Sequence, residues 1–501
     1  MQNILSVEST KLSDQMTIES GISEIELTHR AAFGVFNSFK WTGHIVIFCG
    51  HGNNGGDGYS LALILHTNKI AVDVFEFSDK SQKAASAGAY YRDKCIEQKI
   101  PIMCVNSDLD LTKYSVIVDC IFGIGFRGDC STQIQILIEK INKSKSSGNF
   151  VLSVDINSGL NGNSGLASSA AVKSNLTIAI GCYKPGHFLN QAKDYIDKLT
   201  CIDIGVKPSN KPYKLIEKND LRVVFPKRKN FSHKGDYGKS VIIAGSINYT
   251  GAAKLANLSQ AALLSGVGIS ALAVPKSLQN AVTPYLLESI LYLIDEKNGT
   301  IAYDIDFLNA IIADATTIAI GPGLGNTEDI LKIISHLLQH YKGTLIVDAD
   351  GINSLSKDVN LLKMATCNVV LTPHLKEFSR LTGDAIHSIL QAPIDHVLDF
   401  SKKYGVTLLL KGPSTIIALN DDVYIVNSGT PGMATGGSGD VLTGLVSGVC
   451  SLKTAPTLLS VAAATYIAGS AAELACKELN EYSLLPHNAI EKIPTIITSI
   501  I

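Results

Sequence analysis

From residue 45 onward the chain alternates short apolar runs, rich in β-branched residues, with longer stretches of mixed polarity. The runs I-V-I-F-C (45–49), I-A-V-D-V-F-E-F (70–77), V-I-V-D-C-I-F (116–122), V-L-S-V-D-I (151–156) and L-T-I-A-I (176–180) have strand length. Strands buried on both faces of a parallel sheet carry this pattern, and the intervening segments have the length of helical crossovers. A polar, basic stretch with two prolines, V-K-P-S-N-K-P-Y-K (206–214), interrupts the series. A second series follows: S-V-I-I-A-G-S (240–246), I-S-A-L-A-V-P (269–275), T-I-A-I-G-P-G (317–323), T-L-I-V-D-A-D (344–350), N-V-V-L-T-P-H (368–374) and T-L-L-L-K-G (407–412). The pattern predicts two α/β layered domains, residues 1–212 and 220–501, divided at the basic stretch. Most of these runs end in Gly, Asp, His or Lys, and open α/β sheets bind ligands outside the carboxyl ends of their strands. Both halves are therefore expected to bind ligands.

Composition narrows the partners. At 501 residues the chain is too long for one ordinary core, which agrees with two domains. Its 43 basic and 45 acidic residues leave a net charge of -2, so no global field draws nucleic acid or anionic lipid, and any anion site must be local. Ten cysteines are scattered without a C-x-x-C pair, as expected of reduced thiols in a cytoplasmic protein. The N-terminus lacks the basic start and apolar core of a secretory signal. The uncharged stretch from Thr454 to Ala472 contains Pro456 and is mostly Ala, Ser and Thr, which predicts a packed soluble helix rather than a membrane span.

The chemistry gathers at strand ends. H-G-N-N-G-G-D-G (51–58) follows the first strand and opens a helix-like stretch, where glycines let backbone amides approach an anion and the helix start adds partial positive charge. The same loop read alone is equally a tight strand-to-helix turn. Asp119 precedes a second glycine loop (123–128), and Asp155 precedes Asn157 and Ser158. Oxygen donors of this kind suit a simple cation as well as a ligand, while Asp in isolation often only caps a turn. His51 reads as a loop residue.

G-N-N-G-G-D-G, V-D-C-I-F-G-I-G-F-R-G, V-D-I-N-S-G and Y-K-P-G-H (183–187), in that order, resemble the NAD(P)H-hydrate epimerase domain over roughly residues 1–210. The resemblance implies a Rossmann-like three-layer sandwich that interconverts the R and S forms of nicotinamide rings hydrated at C6. It implies that Asn53, Asn54, Gly55, Gly56 and Asp57, with Gly123, Ile124, Gly125, Phe126, Arg127, Gly128 and Asp129, hold the substrate. Asn54, Asp119 and Ser158 would surround a potassium ion, and Asp155 would be the acid-base residue beside the ring. A strand-end carboxylate suits the proton movement that inversion at C6 needs, and Lys184 is a second polar group there.

In the second half H-K-G-D-Y-G (233–238), Y-T-G-A-A (249–253), G-P-G-L-G (321–325), D-A-D-G-I-N (348–353), T-P-H-L-K-E-F (372–378), L-K-G-P-S-T (410–415) and A-T-G-G-S-G-D (434–440) follow in sequence. Singly, G-P-G-L-G and K-G-P-S-T are ordinary turns. Together they resemble the ADP- or ATP-dependent (S)-NAD(P)H-hydrate dehydratases, with a ribokinase-like α/β sandwich. The resemblance implies that Lys411, Gly412, Pro413, Ser414, Thr415 and Gly439 contact the nucleotide, and that Ala252, Gly323, His374 and Asp440 face the hydrated nicotinamide nucleotide. Asp440 would act as catalytic base, a role lysine there could not fill at neutral pH without a large pKa shift. Mg2+ is expected with the nucleotide, and Glu377 and Asn427 are secondary positioning groups. This chain has Lys376 where relatives commonly carry glycine. The expected substrates are NADHX and NADPHX with ADP or ATP, in a homo-oligomer. A small-molecule kinase of the same fold, or a nucleotide sensor with a dead site, are the other readings.

Overall fold

A computed structural model describes residues 1–77, 86–106, 109–260 and 265–501. The chain divides into two compact units, Gln2–Tyr213 and Lys214–Ile501. Among the described residues of the first, β1 (Ile45–Cys49), β2 (Val72–Glu76), β3 (Ile102–Cys104), β4 (Val116–Cys120), β5 (Phe150–Val154), β6 (Leu176–Ile180) and β7 (Leu199–Ile202) form one parallel sheet, ordered β3-β2-β1-β4-β5-β6-β7. The order reverses between β1 and β4, which opens a crevice at their carboxyl ends.

Alternation along β1 builds the layers. Ile45, Ile47 and Cys49 pack against Leu27, Ala31 and Val35 of α2 (Glu24–Asn37) and against Tyr59–Leu65 of α3 (Asn53–Thr67). Val46 and Phe48 face the other way, onto Leu137, Ile138 and Ile141 of α4 (Thr132–Ser146). A strand buried on both sides needs apolar residues at every position, which is why I-V-I-F-C lacks alternation. Helix α1 (Val7–Glu19) precedes these elements.

The second unit contains β8 (Lys239–Ile243), β9 (Ile269–Pro275), β10 (Ser289–Ile294), β11 (Thr317–Ile320), β12 (Thr344–Val347), β13 (Asn368–Leu371), β14 (Thr407–Leu410), β15 (Thr415–Leu419) and β16 (Asp422–Val426). Their order is β16-β15-β14-β13-β12-β11-β8-β9-β10. From β10 to β14 all pairs are parallel, while β14–β15 and β15–β16 are antiparallel. One sheet face packs Ile242, Leu272, Ala319, Ile346 and Val370 against α5 (Thr250–Gln260), α7 (Ser438–Ser451) and α8 (Thr457–Leu479). Helix α8 is long and apolar enough to cross a membrane, yet 78% of its most apolar window is buried inside the unit. It is a core helix, as its Ala, Ser and Thr content predicts. All ten cysteines are free.

The strand pattern omitted β3, β7, β10 and the β15–β16 hairpin. Strands β3, β7 and β10 lie at sheet ends and keep half-exposed residues, which breaks the continuous apolar signal. The hairpin pairs next to a parallel series, where the crossover rhythm gives no warning of a tight return.

Candidate functional site

In the first unit β1, β4 and β5 are neighbours, with Phe48 opposite Asp119 and Asp119 opposite Ser153. Their ends bring Asn54, Asp119, Asp155 and Ser158 together. Helix α3 begins at Asn53 behind Gly52, and glycine permits the close fit of this turn: a Cβ on Gly50 would lie 1.8 Å from the Ile121 carbonyl oxygen. Asn54 is buried and donates through Nδ2 to the carbonyls of Phe122 (2.8 Å) and Val154 (3.1 Å), leaving its buried Oδ1 without a partner. Asp119 is fully buried and accepts from Ser158 Oγ (2.5 Å), the Ser158 amide (2.9 Å) and Ser153 Oγ (2.9 Å). Burial still pushes its carboxyl up, against those hydrogen bonds.

Asp155 sits in the left-handed region at φ +65°, a strained conformation for a residue with a Cβ. Its Oδ1 accepts from Lys184 Nζ at 2.5 Å, and Lys184 is only 1% exposed. Burial pulls the lysine down, but the Asp155 charge overrides it and the ammonium is held above its usual range. His187 donates to the Asp155 carbonyl (2.7 Å) and accepts from the Lys184 amide (3.0 Å). Burial and the Lys184 charge lower it to about 4, so the ring is neutral at physiological pH. Asp57, partly exposed, is pushed up by desolvation and then by Asp155 and Asp14.

The second glycine loop starts beside these groups: a Cβ on Gly123 would lie 3.3 Å from Asp155 Oδ2, and the Ile124 amide donates to that oxygen at 3.4 Å. Farther along, Gly125, Arg127, Gly128 and Asp129 are exposed. Arg127 pairs with Glu8 (2.7 Å) and Asp129 accepts from the Ser169 amide (3.0 Å). Asp14 on α1 was not anticipated: burial, opposed by Lys184 and reinforced by Asp155, raises it to about 6. Only the fold carries α1 to the site, so no local motif announces it.

In the second unit Asp348 ends β12 and is 1% exposed. Its oxygens accept from Lys411 Nζ (2.8 Å), Thr372 Oγ1 (2.8 Å) and Thr443 Oγ1 (2.6 Å), drawing donors from β13, β14 and α7. Burial opposes ionisation, yet Lys411 and the two hydroxyls hold the carboxyl below its usual range. The strand end of D-A-D-G-I-N was visible in the sequence; its grip on Lys411 was not. Lys411 also lies 3.9 Å from Glu377, whose carboxylate caps α6 (Leu375–Thr382) by accepting from the His374 amide at 2.8 Å. Burial raises Glu377.

Helix α7 opens through Gly437, left-handed at φ +99°, followed by Ser438, Gly439 and Asp440. A Cβ on Gly439 would lie 3.6 Å from Lys411 Nζ and 3.9 Å from Asp348 Oδ2. Asp440 is partly exposed, and burial first, then Asp348, raise it to about 7 against the pull of Lys411. Such a carboxyl exchanges a proton near neutral pH beside amides able to stabilise a transferring phosphoryl group. Glycine at 444 lets α7 pack on α5, since a Cβ would lie 2.0 Å from the Ala256 carbonyl oxygen. Gly323, at φ +63°, meets Ala252 on α5, where a Cβ would lie 2.9 Å from its own. Lys411–Thr415 forms the turn between β14 and β15, with Gly412 and Pro413 exposed and Ser414 donating to Asn427 Oδ1 (2.6 Å). The cleft of about 1280 Å³ whose lining includes Val224, Phe231, Tyr237, Leu452, Pro494 and Ile501 lies beyond the opposite end of α7 and shares none of these residues.

A parallel sheet with a switch-point crevice, and a second sheet ending in a phosphate-type glycine loop with an elevated carboxyl, define a two-site α/β enzyme with a ribokinase-like second domain. Residues 240–495 match the family described as NAD(P)H-hydrate dehydratase, and residues 25–186 that described as YjeF-related protein N-terminus. The bifunctional NAD(P)H-hydrate repair enzyme of Coxiella burnetii is 32% identical over 94% of both chains, and that of Thermofilum pendens 30% over 89% of this chain and 86% of its own. The ADP/ATP-dependent NAD(P)H-hydrate dehydratase of Bacillus subtilis, co-crystallised with ATP and Mg2+, aligns at TM-score 0.50 and 27% identity over 58% of this chain and 99% of its own. A ribokinase-like superfamily protein of Enterococcus faecalis aligns at TM-score 0.50 and 25% identity over 57% and 96%. The chain belongs to the bifunctional NAD(P)H-hydrate repair enzyme family.

Proposed function

We propose that this protein repairs nicotinamide nucleotides: the first domain epimerises (R)- and (S)-NAD(P)H hydrate, and the second dehydrates the S epimer to NAD(P)H with ADP or ATP. The observation that carries the reading is Asp440, raised to about 7 in the first turn behind the Gly436–Gly439 loop and next to the Lys411–Asp348 pair. Asp440 takes the proton of the C6 hydroxyl as its oxygen attacks the terminal phosphorus, and the phosphorus–oxygen bond to the nucleotide breaks. The ring nitrogen's electron pair then expels phosphate from C6, and loss of a proton from C5 restores the dihydronicotinamide. Water has left the hydrate and one phosphate has left the nucleotide. Lys411 to Thr415 and Gly439 face the nucleotide in this reading, and Ala252, Gly323 and His374 the hydrate. Mg2+ would accompany the phosphates, with Glu377, 3.9 Å from Lys411, able to meet its water shell.

In the first domain Asp155 is the acid-base group at C6, and Lys184 holds its charge in place. The residues fit a potassium ion: the unpartnered buried Oδ1 of Asn54 lies with the Asp119 carboxylate and Ser158 Oγ, hard oxygen donors around one buried charge. Bound there, it would supply positive charge that offsets Asp119. The reading extends to a cytoplasmic homo-oligomer. Purified protein given mixed hydrate epimers and ADP, or ATP, restores dihydronicotinamide absorbance completely if both activities are present. Conversion of the S form alone would sink the epimerase assignment.

A further inference from the structure

Helix α1 lies over the first site and is pinned along its length. The Val7 amide donates to Asn163 Oδ1 (2.8 Å), Thr10 Oγ1 is 3.8 Å from Cys182 Sγ, and Ser209 reaches both the Ser9 carbonyl and Ser13 Oγ (2.9 Å each). This anchoring points Lys11 at the second glycine loop: its Nζ lies 4.0 Å from where a Cβ on Gly125 would stand. Lys11 is exposed and has no hydrogen-bond or ion-pair partner among the described residues. Its helical neighbours are otherwise engaged. Glu8, one turn earlier, is taken by Arg127 (2.7 Å) and Asn163 (2.8 Å), and Asp14, one turn later, is coupled to Lys184 and Asp155. The loop under Lys11 offers the backbone amides of Gly125 and Gly128, which likewise have no acceptor among the described residues.

An ammonium without a partner beside Gly125, on a loop whose Gly125 and Gly128 amides have no acceptor among the described residues, is complementary to a phosphate. Its placement along the loop sets which one. Gly123 lies beside the Asp155 carboxylate, where a Cβ would stand 3.3 Å from Oδ2, and Gly125 lies beside Lys11, two residues away, at most about 7 Å of extended chain. That is the reach of the single ribose between a nicotinamide ring and its first phosphate. We infer that Lys11 and the amides of Gly125 and Gly128 form the pyrophosphate subsite of the first domain, holding the dinucleotide hydrate so that C6 meets Asp155. The inference rests on the epimerase reading. Lys11 is a positioning residue: it grips a part of the substrate that does not change in the reaction, so its loss raises KM and leaves kcat in place.

The test follows R-to-S conversion chromatographically with no nucleotide present, so the dehydratase is idle. With NADHX as substrate, Lys11→Ala raises KM about tenfold with kcat within twofold, Lys11→Arg restores most of it, and added salt raises KM less in Lys11→Ala than in the native protein. With nicotinamide riboside hydrate, which lacks the pyrophosphate, Lys11→Ala matches the native protein. An equal KM change on both substrates, marking a merely structural role, or no change on either, marking a solvated surface cation, overturns the proposal. Calorimetric titration with inorganic pyrophosphate separates it from the epimerase reading. Binding that is lost in Lys11→Ala in a protein that does not epimerise leaves the subsite standing and removes the reaction, whereas equal binding by both proteins overturns the subsite.

Discussion

Replacing Asp440 by asparagine keeps the size of the side chain but removes the base. Positioned general bases contribute about 10²–10⁴-fold, so Asp440→Asn should lose dehydration by that factor while epimerisation continues. The native enzyme adds a second signature. With the carboxyl raised to about 7, dehydration should fall roughly tenfold per pH unit below that value and level off above it. The same shift has an opposite consequence for stability. The folded carboxyl protonates at about 7 and the unfolded one at 3.8, so stability is greatest below the unfolded value and declines as pH rises through the folded one. Three units correspond to about 4 kcal/mol at most, and less because the side chain is partly open to water. Asp440→Asn should therefore melt a few degrees higher than the native protein at pH 8 and equally at pH 4, read by scanning calorimetry. Undiminished dehydration in the variant, or a native rate profile with its midpoint near 4, would refute the reasoning.

Asp155→Ala should abolish epimerisation and spare dehydration of the pure S epimer, measured by chromatography of the two forms; retained epimerisation removes Asp155 from the mechanism. Lys184→Met leaves Asp155 without its buried counter-charge, so epimerisation should fall while the protein stays folded, and an unchanged rate would limit the lysine to packing. Gly50→Ala drives a Cβ to within 1.8 Å of the Ile121 carbonyl oxygen, a backbone atom with no rotamer to yield, and should destabilise the first unit by more than about 3 kcal/mol in denaturant titration.

The sequence by itself determined the layers and the strand ends. A strand covered on both faces must be apolar at every position, so I-V-I-F-C and its counterparts announce themselves, and the glycines and carboxylates that follow must then lie at the carboxyl edge of a sheet. Asp119 and Asp155 stood out because they lie at the ends of such runs, Asn54 because its glycine loop follows one, and Asp440 because it follows a glycine loop before a helix, while their roles came from the family resemblance. Edge strands β3, β7 and β10 escaped because partial exposure dilutes that pattern. The tertiary structure alone decided which charges share a space. Asp348 grips Lys411 across 63 residues of chain, Lys184 reaches Asp155 across 29, and α1 brings Asp14 and Lys11 to loops more than 100 residues onward. Proton affinities near 7 for Asp440 and 6 for Asp14 arise from burial and from these neighbours. Neither burial nor distance is a property of a local motif, because both exist only after the chain has packed.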